Sequence, residues 1–181
     1  MAEPAVHQLI ESDPHVELIW RAYELRPEPV PMIDPNSDYL RRVWSDSVAP
    51  LAARLGVTMR FPPVKPRTRL THEAAHWARA LGRFDDFHNE VFRAFFERGE
   101  DIGDVEVLIA LGRKLELDSN SLRQALTTHE FVASVVADEH EAARLGLNGV
   151  PAFVADRKAA LSGVQPVENL KRLVESVRGA G

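Results

Sequence analysis

The feature that most constrains this chain is a change in hydrophobic periodicity near each of its ends. From about residue 36 to residue 145, apolar residues recur every three or four positions, which predicts a long series of helices. Residues 16–25 and 152–155 instead carry apolar side chains in alternation or in a short run, which predicts β-strands. The sequence therefore predicts an α/β fold in which a large all-helical insertion interrupts a sheet.

Shorter elements complete this plan at the two ends of the chain. Residues 3–12 have the apolar spacing of a helix, and residues 158–162 form a second C-terminal strand. Pro166 suits the first position of a final helix. Within the insertion, Asp38, Asp104 and Asp118 are candidate helix caps, and Pro50 should kink the helix that begins near Asp38. We therefore predict one domain built from residues 1–35 and 147–181, with residues 36–146 as a helical insertion subdomain.

The absence of cysteine excludes several functions. With no cysteine among its 181 residues, the chain on its own cannot form a disulfide, attack one with a thiolate, or bind zinc through thiolates. Its net charge of −5 argues against a nucleic-acid partner, and no stretch is apolar enough to suggest a membrane partner. The first residues do not form a secretory signal, so we expect a cytoplasmic location.

Residues 72–76 match the H-E-x-x-H pattern of zinc hydrolases on a predicted helix. His72 and His76 would lie one turn apart on one face, and Glu73 would be the candidate base. No third ligand stands at the required spacing. We therefore predict that this helix binds no metal and that at least one of the two histidines faces solvent.

Two further clusters allow both a functional and a structural interpretation. Four basic residues in a proline-rich segment could bind an anionic ligand, or could simply be solvated. Five phenylalanines near helical spacing could line an apolar cleft, or could pack helices together. We favour the structural interpretation of both. The basic residues are Arg60, Lys65, Arg67 and Arg69, and the phenylalanines are Phe84, Phe87, Phe92, Phe95 and Phe96.

The C-terminal sequence carries the most informative motif. It reads Leu147-Asn148-Gly149-Val150-Pro151-Ala152-Phe153-Val154, then Leu161-Ser162-Gly163-Val164-Gln165-Pro166, and then a helix with Leu170 and Leu173. Supporting segments are Glu24-Leu25-Arg26-Pro27, Gly82-Arg83-Phe84-Asp85, Phe92-Arg93-Ala94-Phe95-Phe96 and Asp101-Ile102-Gly103-Asp104. Together they resemble the DsbA family of thioredoxin-fold proteins, and within it the FrnE-type branch. The resemblance covers essentially the whole chain. It implies a thioredoxin-like sheet, a cis peptide bond between Val150 and Pro151, and descent from thiol–disulfide oxidoreductases.

The chain departs from that family in one respect that bears on its chemistry. The family opens with a strand and a C-x-x-C motif at the start of the first helix, and neither stands in this sequence. By resemblance, that strand would lie between residues 16–25 and residues 152–154. We expect a gap in the sheet there. Both a start that is truncated relative to the family and a true loss of the chemistry remain open.

The resemblance implies a binding site at Val150 and Pro151. The Val150 backbone would pair with an extended peptide or a small thiol ligand. We expect no catalytic residue, metal or cofactor, and no redox activity, because exchange requires an attacking thiolate. Two alternatives stay open. One is a glutathione-dependent isomerase or transferase of the 2-hydroxychromene-2-carboxylate isomerase type, which uses serine, and the other is a non-catalytic binding module. An unpaired strand edge would also allow a homodimer.

Overall fold

The structure is a computed structural model that describes residues 1–179. The order of its elements is a helix, an extended segment, a series of helices, two strands and a final helix. The helices are α1 (Glu3–Ser12), α2 (Asp38–Val43), α3 (Ala49–Arg54), α4 (Arg69–Ala80), α5 (Phe84–Arg93), α6 (Val105–Lys114), α7 (Ser119–Thr127), α8 (Val132–Arg144) and α9 (Val167–Arg178), and the strands are β1 (Ala152–Ala155) and β2 (Ala159–Ser162).

Short polar side chains set the starts of two helices in the insertion, as the sequence indicates. The Asp104 side chain accepts a hydrogen bond of 2.8 Å from the backbone N–H of Glu106 and caps α6. Asp118 caps α7 in the same way through Asn120. Asp38 was expected to cap α2, but it is the first residue of that helix and caps nothing. The N-cap position of α2 is Ser37, whose backbone is extended and whose side chain makes no capping hydrogen bond.

The predicted kink at Pro50 takes the form of a wider helical turn. A π-helical segment, Trp44–Val48, joins α2 to α3, and Pro50 lies in the first turn of α3. Proline lacks a backbone N–H, and its ring crowds the preceding turn, so the chain widens there instead of continuing with regular α-helical bonds.

The helical insertion has its own apolar core. Helices α4, α5, α6 and α7 pack around side chains that are almost fully buried, with Phe87 and Leu108 both 0% exposed. Gly112 allows α6 and α7 to approach closely, because a Cβ at this position would lie 3.0 Å from a methyl group of Leu122. The buried members of this core are Ala74, Trp77, Ala78, Phe87, Val91, Ala94, Ile102, Leu108, Ile109, Leu111, Leu122, Ala125 and Leu126.

A second, smaller core joins the two ends of the chain. Val6 and Leu9 of α1 pack against Leu170 of α9. Val16, Trp20 and Phe153 pack around this group and bring the extended segment and β1 onto the same core. The two cores share no residue.

The sheet is smaller than the sequence predicts. Strands β1 and β2 pair antiparallel with Ala152 opposite Ser162 and Ala155 opposite Ala159. The prediction of a strand over residues 16–25 is wrong, because residues 16–24 run without a turn or bend but pair with no strand. An alternation of apolar and polar residues distinguishes the two faces of an extended chain. It does not show that another strand lies beside that chain. Within residues 1–179, β1 is therefore paired on one edge only.

The predicted α/β class is confirmed within residues 1–179, with helices in the majority and a two-stranded sheet. The domain boundaries at 1–35, 36–146 and 147–181 stay a prediction. Among residues 1–179, no helix combines the length and the apolar character needed to cross a membrane.

Truncating Phe87 tests the importance of the insertion core. We expect Phe87→Ala to lower the free energy of unfolding by about 3–5 kcal/mol, because it leaves a cavity where the side chain is fully buried. Phe92→Ala is a matched control on the same helix and should cost only about 1 kcal/mol, since Phe92 is largely exposed. Urea denaturation measures both. Equal losses would contradict this assignment of the core.

Candidate functional site

The predicted binding residues lie at the start of the β-hairpin. The Pro151 carbonyl accepts a hydrogen bond of 2.8 Å from the Gly163 N–H, which extends the pairing of β1 and β2 by one bond. Val150 is 51% exposed, and within residues 1–179 neither its backbone N–H nor its carbonyl has a partner. The Val150–Pro151 peptide bond is cis, as the resemblance implies, and so is Glu28–Pro29, which the sequence did not indicate.

Side chains of the insertion bind one edge of the extended segment. Arg79 of α4 donates to the Trp20 carbonyl over 2.7 Å. The Ala22 N–H donates to Asp138 of α8 over 2.9 Å. The Glu24 N–H donates to Glu139, also of α8, over 3.4 Å. We call these contacts between residues 20–24 and helices α4 and α8 the seam.

The seam occupies only one edge of the extended segment. Successive residues of an extended chain direct their backbone groups to opposite edges, so Trp20, Ala22 and Glu24 share the edge that faces the insertion. The backbone groups of Ile19 and Arg21 lie on the other edge, and in the part of the chain that the structure describes they have no backbone partner. This segment therefore resembles an edge strand whose covered side is bound by side chains.

Buried carboxylates carry the charge of the seam. Asp138 is 4% exposed and also accepts from Arg21 over 2.9 Å. Glu24 is buried and ion-paired with Arg69, whose guanidinium also lies 3.4 Å from Glu139. Burial raises the pKa of Glu24, although the charge of Arg69 acts against this. Asp138 thus has three polar partners and Glu24 is paired with Arg69, as desolvated carboxylates require.

The two histidines of the H-E-x-x-H pattern belong to the seam and not to a metal site. His76 Nε2 lies 3.2 Å from Asp138, and its side chain is only 13% exposed. His72 is half-buried, with Glu24 and Arg69 as charged neighbours. The prediction that one of them faces solvent is therefore wrong, because α4 packs this face against the extended segment. Burial lowers the pKa of both imidazoles.

The glutamate of the same pattern has a different role. Glu73 is 1% exposed on another face of α4, and its Oε1 lies 3.1 Å from Nδ1 of His129. It therefore does not join His72 and His76 as a hydrolytic base would. Within residues 1–179, no group of three or more His, Cys, Asp or Glu side chains could hold a metal ion.

The phenylalanine cluster divides into a core part and a surface row. Phe87 is buried in the insertion core, and Phe95 packs against that core. Phe84 and Phe92 instead lie on either side of His88, with ring centroids 5.2 and 4.7 Å from the imidazole. Phe96 continues the row at 5.9 Å from Phe92.

Sequence reasoning missed the contacts that join α1 to this row. His88 Nε2 lies 2.7 Å from Glu3 at the start of α1, and its ring lies 4.9 Å from that of Trp20. The hydrogen bond from His88 lowers the pKa of Glu3. The spacing of Phe84, His88 and Phe92 at every fourth residue indicates a shared helix face, but no local signal indicates Glu3 as the partner.

The four predicted basic residues do not converge on one site. Arg67 donates to the Arg26 carbonyl over 2.8 Å, and Arg69 is held by Glu24 in the seam. The Arg60 backbone donates to the Phe96 carbonyl over 2.7 Å. Burial lowers the pKa of Lys65. The structural interpretation of this segment therefore fits better than an anion site.

The hairpin follows an exposed Val-Pro pair and packs with two terminal helices, and a helical insertion separates the two ends of the chain. This arrangement is that of thioredoxin-like proteins. The sequence matches the DSBA-like thioredoxin domain over residues 1–175. The chain belongs to the DsbA-like family.

Individual relatives agree with this assignment. The chain is 34% identical over 143 residues to the YwbO protein of Bacillus subtilis, an alignment that covers 77% of this chain and 72% of that protein. A probable DsbA oxidoreductase from Streptomyces coelicolor superposes with a TM-score of 0.83 at 26% identity, covering 99% of this chain and 84% of the other. A structure from Nitrosomonas europaea has a TM-score of 0.76 at 15% identity, covering 98% and 90%, and shows the fold alone.

Removing the Asp138 carboxylate tests the seam. We expect Asp138→Ala to lower the free energy of unfolding by about 2–3 kcal/mol, because the Ala22 N–H and His76 lose their buried acceptor. Asp86→Ala is the control, because Asp86 forms an exposed ion pair with Arg83 and its loss should cost about 0.5 kcal/mol. Chemical denaturation measures both values. A loss no larger than that of the control would show that the seam contributes little.

Proposed function

We propose that this DsbA-family chain binds an extended peptide or a small thiol ligand at Val150 and Pro151, and that the chain on its own does not exchange disulfides. The observation that carries the proposal is the half-exposed Val150, whose backbone N–H and carbonyl have no partner within residues 1–179. Unpaired backbone groups next to a strand are what an added extended segment needs for main-chain hydrogen bonds.

The surroundings of Val150 support a peptide with apolar side chains. Val150 and Val154 are 51% and 37% exposed. Val150 stands two residues before β1 and Val154 is its third residue, and β1 has one strand neighbour in the part of the chain described. An extended ligand could therefore bury apolar surface while its backbone pairs with the free groups.

Family membership supports a thiol as the alternative ligand at the same place. The similar Streptomyces coelicolor protein is described as a DsbA oxidoreductase, whereas this chain contains no cysteine. A disulfide exchange at this site would need its attacking thiolate from the ligand or from another chain. The isomerase alternative has no specific observation in its favour. The homodimer, the FrnE-type branch and the cytoplasmic location stay predictions.

Two capped decapeptides test the binding site. Both alternate valine and threonine, and they differ only in carrying cysteine or serine at the centre. Calorimetry and amide shifts measure their binding. We expect binding with shifts at Val150 and in β1. Val150→Pro removes the N–H and should weaken binding about tenfold, the worth of one hydrogen bond.

Val150→Ala is the matched control, because it keeps the backbone donor and trims only the side chain. It should bind within about threefold of the original chain, since a partly exposed valine contributes little area. Preference for the cysteine peptide would favour the thiol ligand, and equal binding would favour a peptide ligand. Absence of shifts at Val150 with both peptides would contradict the proposal.

The same chain should be inert in disulfide exchange. We expect no acceleration of insulin reduction by dithiothreitol, because the chain has no thiol to form a mixed disulfide. The turbidity of precipitating insulin chains measures the rate. A rate above that of dithiothreitol alone, in protein checked by mass spectrometry for contaminating thiols, would refute this expectation.

A further inference from the structure

The two apolar cores are joined mainly by polar contacts. The insertion core and the terminal core share no residue. Among residues 1–179, none of the helices α2–α8 packs its backbone against α1, α9 or the hairpin. The extended segment lies between them, with Trp20 on the terminal core and with the seam on its other side. The seam is therefore a polar link between the two cores, alongside the Glu3–His88 and Arg157–Glu141 contacts.

Histidines stand at the centre of this seam. His76 faces Asp138 of α8 at 3.2 Å, and Arg21 and Arg79 are charged neighbours from the extended segment and from α4. Arg79 in turn interacts electrostatically with the carboxylate of Asp85 on α5. Asp138 already accepts from Arg21 and from the Ala22 N–H, so an imidazolium at His76 would be the second cationic partner of one carboxylate.

His72 lies one turn earlier on the same helix face. Its charged neighbours are Glu24 and Arg69, and the titratable His76 lies beside it. Glu24 and Arg69 already form an ion pair, to which Glu139 of α8 is joined. A proton on His72 would thus place a further positive charge in a half-buried site beside Arg69.

We propose that the seam is an acid-sensitive clasp: protonation of His72 and His76 releases residues 20–24 from α4 and α8 while both apolar cores remain folded. This inference is independent of what binds at Val150. Release would free the backbone edge at Trp20, Ala22 and Glu24.

The direction of the pH dependence follows from the two imidazoles. Burial lowers the pKa of each below the ordinary value of 6.5, so the closed seam favours their neutral forms. The seam is therefore fully stable above pH 6.5 and weakens as the pH falls through the lowered pKa values. Glu24 acts in the opposite direction because its pKa is raised, but one carboxyl opposes two imidazoles.

Hydrogen exchange at pH 7.5, 6.5 and 5.5 tests the clasp in the full chain. After correction for intrinsic exchange rates, we expect protection of residues 19–25 to fall tenfold or more between the highest and lowest pH. The amides of α6 and α9 should keep their protection. The double variant His72→Gln with His76→Gln should lose this pH dependence.

His140→Gln is the matched control, because His140 is an exposed histidine on α8. It should behave like the original chain. Equal pH dependence in the double variant and the original chain would overturn the proposal, and so would simultaneous loss of protection in both cores. Should the double variant not fold, proton titration of the imidazoles in the original chain decides: midpoints at or above 6.5 for both His72 and His76 would refute the clasp.

Discussion

The structure depends on how the backbone of residues 16–24 is satisfied. Ala22 and Glu24 are buried, so their backbone groups need partners, which in most proteins a neighbouring strand provides. Here Arg79, Asp138 and Glu139 provide them along one edge. Side chains are less uniform than a strand ladder, because each contact depends on one rotamer and, in these three, on one charge. The insertion is thus a structural substitute for part of a sheet.

This arrangement explains why so many charged groups are buried without forming a catalytic centre. Asp138 and Glu24 are desolvated, and each is compensated by an arginine and by further polar groups. Glu73 is an exception, because its Oε2 has no partner among the described residues. A buried oxygen without a hydrogen-bond partner destabilises the folded state, and His129 contacts only one of the two carboxyl oxygens of Glu73. The thirteen per cent exposure of His76 likewise reflects packing against the segment and not an open ligand site.

Local signals in the sequence were sufficient for the helices and insufficient for their partners. Asp104 and Asp118 are read correctly as caps because a cap is decided within four residues. The alternation from Val16 to Ala22 indicates an extended, half-buried chain, yet pairing depends on atoms far away in sequence. For the same reason, the H-E-x-x-H pattern places His72 and His76 on one face but does not reveal that the segment covers that face. The proposed Val150–Pro151 site rests on family resemblance, since no periodicity marks it, and the Glu3–His88 contact has no local signal at all.

The separate cores also bear on the order in which the chain acquires its structure. The insertion core forms between residues that are close in sequence, from α4 to α7, so little chain entropy is lost in bringing them together. The terminal core must join Val6 with Leu170, which stand at opposite ends of the chain. Contacts of low sequence separation form faster than distant ones. During synthesis, the insertion can therefore become compact while α9 is still unmade, and it then serves as the scaffold on which the two ends of the polypeptide meet.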